Sequence, residues 1–365
     1  MKKLRVAVIG AGHLGKIHAR LLASQPGVQL IAVADPSPTA QQQVLDQIET
    51  RTVSDYRKII PDIDAAIIAT PTHTHFAVAS ELLEQGIHTL IEKPMTDSVV
   101  DAQRLVQLAD RFRCVIQVGH VERFNPAIQA AVAEVGQPKF VIANRFSGYT
   151  FRSTDIGVVH DLMIHDIDLV NALFPGNLIE TRAVGLSMFG HHEDLAQARL
   201  QFSCGGVANL TASRCSFQNE RSMQIFGTDG YAAVDLATNK LTVVKVPGWI
   251  RDRHYDLLDT TPEQQAFIRD QLFEKILTKH DIVIEKSNSI LTEQKDWITA
   301  IRTGVTPRVS GEQGKEAVEI AQAVLDSLAA HRWLQSNTAT TGPFGLLTNI
   351  GLPMHASTQT TRRAA

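Results

Sequence analysis

Through roughly the first 120 residues, short apolar runs recur at intervals filled by segments of helical spacing. The runs are residues 5–9, 30–34, 65–69, 89–91 and 115–118, each nearly continuous in apolar side chains. A strand reads this way when helices cover both its faces, because neither face then needs polar residues. Between the runs, residues 17–23, 76–83 and 102–109 carry apolar side chains three and four apart, the repeat of one helix face. Strand and helix in alternation predict βαβ units and a doubly wound parallel sheet.

After Asn125-Pro126 the pattern changes. Residues 139–145, 180–188, 197–203 and 207–213 read as longer, more polar strands, the last two joined through Gly205-Gly206 as a hairpin. Successive strands without intervening helices predict a second α/β unit with a mostly antiparallel sheet, one face turned to solvent or a partner subunit. Residues 256–278 are charged and helical in pattern, and residues 315–330 read as a long final helix. From about residue 336 the chain is rich in Thr, Ser, Gly and Ala, a composition expected to be mobile or to wrap a neighbour.

Composition narrows the function classes. A chain of 365 residues, 44% hydrophobic and 20% charged, is ordinary globular protein long enough for about two domains. Lys plus Arg is 35 against Asp plus Glu at 38, so no net field favours nucleic acid or an anionic membrane. After the charged first five residues only Val6-Ala7-Val8-Ile9 precedes Gly10, less than the ~7–15 apolar residues of a secretory signal. No uncharged apolar run approaches the ~18 residues of a membrane span. Cys114, Cys204 and Cys215 are odd in number and widely spaced, against a disulfide framework or a structural zinc site. The expectation is a soluble cytoplasmic protein with no metal centre.

Three segments carry candidate chemistry. Gly10-Ala11-Gly12-His13-Leu14-Gly15 follows the first strand and enters a helical pattern. In such a G-x-G-x-x-G turn the first glycine allows the tight bend, the second lets backbone N–H groups reach a pyrophosphate, and the third lets helix pack on strand. The helix N-terminus adds unpaired donors and a positive dipole end. Twenty residues past Gly15, Asp35 ends the second predicted strand, where a carboxylate accepts both ribose hydroxyls of NAD and repels the extra phosphate of NADP. Ligands of open α/β sheets lie beyond the carboxyl ends of strands, which singles out Thr70-Pro71-Thr72-His73-Thr74-His75 and Glu92-Lys93-Pro94. Lys93, held extended by the following proline and partly desolvated beside a pyridinium ring, suits orienting or deprotonating an alcohol, with Glu92 steadying it. For His73 and His75, capping or backbone hydrogen bonding is favoured over metal ligation. Asp161, His165 and Asp168 fall on one face of a helix at i, i+4 and i+7. A carboxylate one turn away orients the imidazole and raises its proton affinity, as a general base requires. The residues alone leave open a buried histidine merely satisfied by aspartates, and a divalent-metal hydrolase.

With these residues in view, residues 4–332 resemble the Gfo/Idh/MocA family of NAD(P)-dependent oxidoreductases. The resemblance rests on Gly10 to Gly15, the Ala-Thr-Pro segment with His75 downstream, Glu92-Lys93-Pro94, Arg123-Phe124-Asn125-Pro126, and Asp161-x-x-x-His165. Met163 stands where the family usually has glycine. Gly-His-Val-Glu-Arg-Phe-Asn-Pro and Asp-Leu-Met-Ile-His-Asp-Ile-Asp-Leu look most like the UDP-N-acetylglucosamine 3-dehydrogenase branch. The resemblance implies an NAD-binding Rossmann domain at 1–122, a substrate-binding and oligomerisation α/β domain at 123–335, and a tail at 336–365. It implies NAD bound by Gly10, Gly12, His13, Leu14, Gly15, Asp35, Thr70, Pro71, His75, Glu92 and Lys93. Lys93 and His165 become the proton-handling pair with Asp161 in support, and Arg123 and Asn125 join them in binding substrate. The implied partners are a sugar or nucleotide sugar, and further copies of the chain in a dimer or tetramer through the second sheet. Two rival activities are dehydrogenation of inositol or a free sugar, and NAD-dependent glycoside cleavage; a nucleotide sensor without turnover is a third possibility. An insertion at 243–280 is expected to lie outside the matching region.

Overall fold

The structure, a computed structural model, describes residues 2–150, 156–189, 192–254, 256–285 and 287–331. The tail expected at 336–365 lies outside the described residues. Six strands, β1 (Leu4–Ile9), β2 (Val28–Ala34), β3 (Arg51–Val53), β4 (Ala65–Ile68), β5 (His88–Glu92) and β6 (Ile116–Gly119), form a parallel sheet ordered β3-β2-β1-β4-β5-β6. Helices α1 (His13–Ala23), α2 (Pro38–Leu45), α3 (Thr72–Glu84) and α4 (Val99–Phe112) make most of its crossovers. The apolar runs are these strands to within two residues, and Val6, Ala7, Val8, Ala66 and Ile67 are wholly buried, as two-sided coverage demands. β3 and α2 escape the pattern because β3 has three residues and α2, with three consecutive Gln among its eight residues, shows little apolar periodicity. Strand order reverses between β1 and β4, so the crevice opens beyond the carboxyl ends of these strands.

The second sheet has eight strands: β7 (Pro138–Phe146), β8 (Leu178–Leu186), β9 (Leu195–Phe202), β10 (Val207–Ser213), β11 (Glu220–Gly227), β12 (Gly230–Asp235), β13 (Lys240–Lys245) and β14 (Thr278–Ile282). Their order is β14-β13-β12-β11-β7-β10-β9-β8, antiparallel throughout except for β7 beside β10. Burial alternates along β9 and β10, so one face carries the core and the other does not. The inward face packs on α5 (Pro126–Val135) and α6 (Ile164–Leu173), with Ile128, Ile167, Leu200 and Leu210 in one cluster. Residues 246–277 form an excursion between β13 and β14 that contains α7 (Gly248–Arg251) and α8 (Pro262–Asp270). The helical pattern over 256–278 therefore overshoots, because Thr278 already belongs to a sheet strand.

The last two helices, α9 (Ser289–Thr303) and α10 (Gly311–Ala330), return to the first sheet. Trp297 and Ile298 enter the core of Val6, Val8 and Leu90, while Val309 and Val318 enter that of Ile91, Ile116 and Val118. Ala317, Ala321 and Val324 on α10 pack instead into the core beneath the second sheet. One helix thus serves both cores and fixes β5 relative to α6, the two elements that carry the site. No helix among the described residues is long and apolar enough to cross a membrane.

Candidate active site

The β1–α1 turn is built by contact. A Cβ on Gly10 would lie 2.3 Å from the Ala69 carbonyl oxygen, and its φ of +97° is in the left-handed region. A Cβ on Gly15 would lie 1.9 Å from the Gly10 carbonyl oxygen, so α1 crosses β1 too closely for any side chain. At Gly12 a Cβ would meet nothing within 4 Å. That open approach leads to the first turn of α1, whose N–H groups have no partner within the helix. Gly10, Gly12, His13, Leu14, Asp35, Thr70 and Pro71 all line one cleft of about 870 Å³. Asp35 is aimed by two backbone donors, Ala11 N–H to Oδ2 at 2.7 Å and Ser37 N–H to Oδ1 at 2.8 Å. A carboxylate oxygen accepts more than one hydrogen bond, so the pair can still take a ribose diol. Backbone donors, open approach and aimed carboxylate together fit a dinucleotide.

Lys93 follows β5 directly, and its Nζ donates to the Asp161 carbonyl oxygen at 2.6 Å and to Asp161 Oδ1 at 3.2 Å. That contact joins the first sheet to the segment ahead of α6. Glu92 does not steady the ammonium by hydrogen bonding. Its Oε1 meets His18 Nε2 of α1 at 2.8 Å, and its Oε2 accepts the Lys93 backbone N–H at 3.3 Å. Burial acts to raise the Glu92 carboxyl, but the hydrogen bond from His18 and nearby positive charge outweigh it, leaving it below the usual range. Gln294 Nε2 on α9 sits 2.9 Å from His18 Nδ1, which makes Nδ1 the acceptor and Nε2 the donor to Glu92. His75, 1% exposed, places Nδ1 2.9 Å from the Pro94 carbonyl and Nε2 2.9 Å from that of Thr70. Burial lowers its pKa, and a neutral ring has one N–H, so it donates to one carbonyl at a time. His75 and Glu92 therefore shape the loops around the cleft and are not among the residues that line it.

The Asp161, His165, Asp168 stripe differs from its expected form. Val159–Met163 is a π-helical turn and regular α-helix begins at Ile164, so the i, i+4 phase assumed for Asp161 and His165 does not hold. The carboxylates diverge toward separate cations. Asp161 meets Lys93 at 3.2 Å, Asp166 meets Arg145 at 2.9 Å, and Asp168 lies 3.5 Å from Arg123 Nε. His165 Nδ1 is closed off from solvent without a hydrogen-bond partner. Burial first, then the charges of Lys93 and Arg145, push the His165 pKa well below 6.5, the reverse of the expected rise. The ring is consequently neutral at physiological pH, which leaves it able to accept a proton. Burial pushes Asp168 up to about 7 despite Arg123, because the pair lacks hydrogen-bond alignment.

Arg123 and Asn125, expected at the substrate, are engaged in the scaffold. Arg123 pairs with Asp168 and donates to the Arg308 carbonyl at 3.3 Å. Asn125 is buried, caps α5 by accepting the Ala127 N–H at 2.9 Å, and donates to Glu122 at 3.1 Å. Arg145 holds Glu122 at 3.2 Å and Asp166 at 2.9 Å together, clamping the turn Val121–Phe124 to α6. Nothing in the sequence pattern marks Arg145, which sits inside a strand run, or His18, which sits inside a helix. Glu122 and His120 lie in the Gly-His-Val-Glu-Arg-Phe-Asn-Pro segment, yet only the fold shows what surrounds them.

Two family models match the chain. The model for the Gfo/Idh/MocA oxidoreductase family, NAD-binding Rossmann fold, covers residues 4–120, and the one for the C-terminal α/β domain covers residues 140–335. The latter runs through 243–280, so that segment lies inside the matching region and not outside it. The chain is 38% identical over 266 residues to UDP-N-acetylglucosamine 3-dehydrogenase of Acidithiobacillus ferrooxidans, spanning 70% of this chain and 84% of that protein. A solved structure of that enzyme superposes with a TM-score of 0.78 at 32% identity, over 90% of this chain and 99% of the other. The chain is also 29% identical to scyllo-inositol 2-dehydrogenase (NAD(+)) of Bacillus subtilis, over 62% of this chain and 72% of that one. At 19% identity, levoglucosan dehydrogenase in complex with NADH and levoglucosan shares the fold, with a TM-score of 0.75 over 90% and 98% of the two chains.

Proposed function

This chain belongs to the Gfo/Idh/MocA family of oxidoreductases, and on that premise we propose that it oxidises the 3-hydroxyl of UDP-N-acetylglucosamine or a closely related nucleotide sugar. The observation that carries the reading is the bond from Lys93, at the end of β5, to Asp161 ahead of α6, the helix that carries a neutral His165 on which the Lys93 charge acts. The similarity to the Acidithiobacillus enzyme supports the sugar.

When bound, NAD supplies the two-electron acceptor that the reaction needs. Lys93, held by Asp161, offers an ammonium to the sugar oxygen and stabilises the negative charge that develops as its proton leaves. Neutral His165 takes that proton, for which its low pKa keeps the lone pair free. Asp35 accepts the ribose hydroxyls and disfavours a 2′-phosphate. Further copies of the chain join through the outer face of the eight-stranded sheet as a dimer or tetramer, which light scattering of the purified protein measures.

The test is NADH formation at 340 nm with UDP-N-acetylglucosamine, other UDP-sugars, free inositols and free sugars, each with NAD and NADP. Turnover confined to nucleotide sugars supports the reading. Turnover of inositols alone moves the substrate to the free polyols, and sugar release without net NADH replaces the dehydrogenase with a glycosidase.

A further inference from the structure

A chain of buried hydrogen bonds runs from the end of α1 to the backbone of Lys93. Gln25, just past α1, donates from Nε2 to Gln294 Oε1 on α9. Gln294 Nε2 donates to the His18 carbonyl at 3.2 Å and lies 2.9 Å from His18 Nδ1. A carbonyl can only accept, so it is the nitrogen of the Gln294 amide that faces His18, and Nδ1 is an acceptor. The ring proton then sits on Nε2, which donates to Glu92 Oε1 at 2.8 Å. Glu92 Oε2 accepts the Lys93 N–H at 3.3 Å. His18 and Gln294 have no exposed surface, and Gln25 and Glu92 are buried. A Cβ on Gly119, across the sheet from Glu92, would lie 3.0 Å from Glu92 Oε2, so glycine there leaves the room that the carboxylate fills.

Each oxygen of Glu92 thus has its own donor, one on the helix whose first turn faces the dinucleotide and one on the residue that follows β5. The titratable groups facing Glu92 are His18 of α1, Lys93, His75 of α3 and Glu293 of α9. Glu293 is 1% exposed with its Oε1 unpartnered, and burial first, then the charge of Glu92, raise its carboxyl well above the usual range. It is a neutral acid. Glu92, held below the usual range, is the charged member of the two.

We propose that His18 is a positioning residue for Lys93: by donating to one oxygen of Glu92 it aims the other at the Lys93 N–H, which holds the helix facing the pyrophosphate and the residue facing the sugar in one register. A buried carboxylate keeps its place while both oxygens are bonded. Removing one donor leaves a buried charge that turns away or takes a proton. The inference rests on the dehydrogenase reading only in what Lys93 does. The bond to its main chain is measurable without turnover.

The experiment is NMR of the Lys93 backbone amide in full-length protein labelled with ¹⁵N-lysine, assigned with Lys93→Arg, alongside kcat and the dissociation constant of NAD. In wild type the signal is expected to stay constant from about pH 5 to about pH 8. His18→Leu keeps the bulk and removes the donor, so the Glu92 carboxyl rises into that range and the Lys93 signal moves with pH. With substrate, its kcat should fall ~10-fold or more, the deficit from wild type narrowing as pH rises, while NAD affinity changes less than threefold or so. His18→Gln, whose side-chain amide donates to Glu92, should regain the steady signal and part of the lost kcat. Glu92→Gln serves where His18→Leu does not fold: one amide oxygen cannot accept from both donors as the carboxylate does, so the signal shifts without following pH and kcat falls likewise. A Lys93 signal like wild type in these variants, a wild-type kcat where the signal has moved, or NAD affinity falling as far as kcat overturns the proposal. Signal changes as expected without NADH from any sugar nucleotide leave the positioning role standing and sink the assigned reaction.

Discussion

Replacing Gly12 with Ala separates cofactor binding from folding more cleanly than any other change at this site. A Cβ there meets no atom within 4 Å, and the backbone sits at φ −66°, ψ −165°, which alanine adopts without strain. Gly12 is the N-cap of α1, where exchanging Gly for Ala costs at most about 1 kcal/mol. The methyl would project into the approach to the first turn of α1, where a pyrophosphate has to come within hydrogen-bond distance. Losing one charge-assisted backbone bond to phosphate costs ~1.5–3 kcal/mol, or ~10- to 100-fold in affinity. Gly15→Ala is the control, since its Cβ would fall 1.9 Å from a backbone oxygen. That overlap has to move α1 off β1, at a cost of ~1–3 kcal/mol or more. Calorimetric titration with NAD and urea unfolding should therefore show Gly12→Ala folded but weak-binding, and Gly15→Ala both destabilised and weak-binding. Wild-type affinity for NAD in a folded Gly12→Ala protein would show that the pyrophosphate does not cross this turn.

Other expectations follow from the same geometry. Lys93→Met and His165→Ala should each cut kcat by ~10²- to 10⁴-fold while NAD affinity changes less than threefold or so, and near-wild-type turnover in both would remove them from the chemistry. Asp35→Ala should weaken NAD by ~10-fold or more and narrow its preference over NADP, read as a ratio of the two dissociation constants; because Asp35 also accepts from Ala11 and Ser37, an equal loss for both cofactors would mean that it only shapes the turn. Asp168 titrates at about 7 when folded against an ordinary 3.8, so the native state holds its proton between those values and the unfolded chain does not. Its contribution to stability is full below about pH 4 and is lost as pH rises to about 7, by on the order of 4 kcal/mol at most. The stability gap between wild type and Asp168→Asn should shift by a measurable part of that between pH 4.5 and 7.5 in urea titrations, and a constant gap refutes the buried carboxyl.

The first sheet was legible because two-sided burial leaves a coarse mark: five nearly continuous apolar runs coincide with β1, β2, β4, β5 and β6 to within two residues. β11 to β14 were not: Glu220–Gly227 opens on Glu-Arg-Ser, and the three strands after it have only five or six residues each, short enough to pass for loop. The return of α9 and α10 to the first sheet was equally hidden. An amphipathic helix shows which face is apolar but not which sheet that face meets, so Trp297 gives no hint that it packs beside Val6 and Val8. At the site, strand-end position singled out Lys93 and Asp35 correctly as polar groups beyond the sheet, since that rule depends on topology alone. The partners of each carboxylate were beyond reach. Asp161, Asp166 and Asp168 are taken by Lys93, Arg145 and Arg123, from β5, β7 and the turn after β6, at sequence separations that no helical period encodes.

The π-helical turn at Val159–Met163 explains why a stripe that looks like a histidine with its aspartates becomes something else. One added residue in the turn swings Asp161 away from His165 and over Lys93, so the carboxylate that would have raised the imidazole's pKa instead anchors the ammonium. The two changes are coupled. An imidazole with an adjacent carboxylate resists giving up its proton, whereas a buried imidazole under the charges of Lys93 and Arg145 resists gaining one. The site thereby keeps a cation and a neutral base together without a carboxylate to bridge them. On the proposed reading, that arrangement would hold a sugar oxygen in its charged form during reaction and leave the base empty before it. A straight α-helix through residues 159–168 would place Asp161 against His165 and leave Lys93 without its anchor. The π-helical turn carries Asp161 where it bonds Lys93, and so ties the end of β5 to the segment ahead of α6 that α10 already holds beside it.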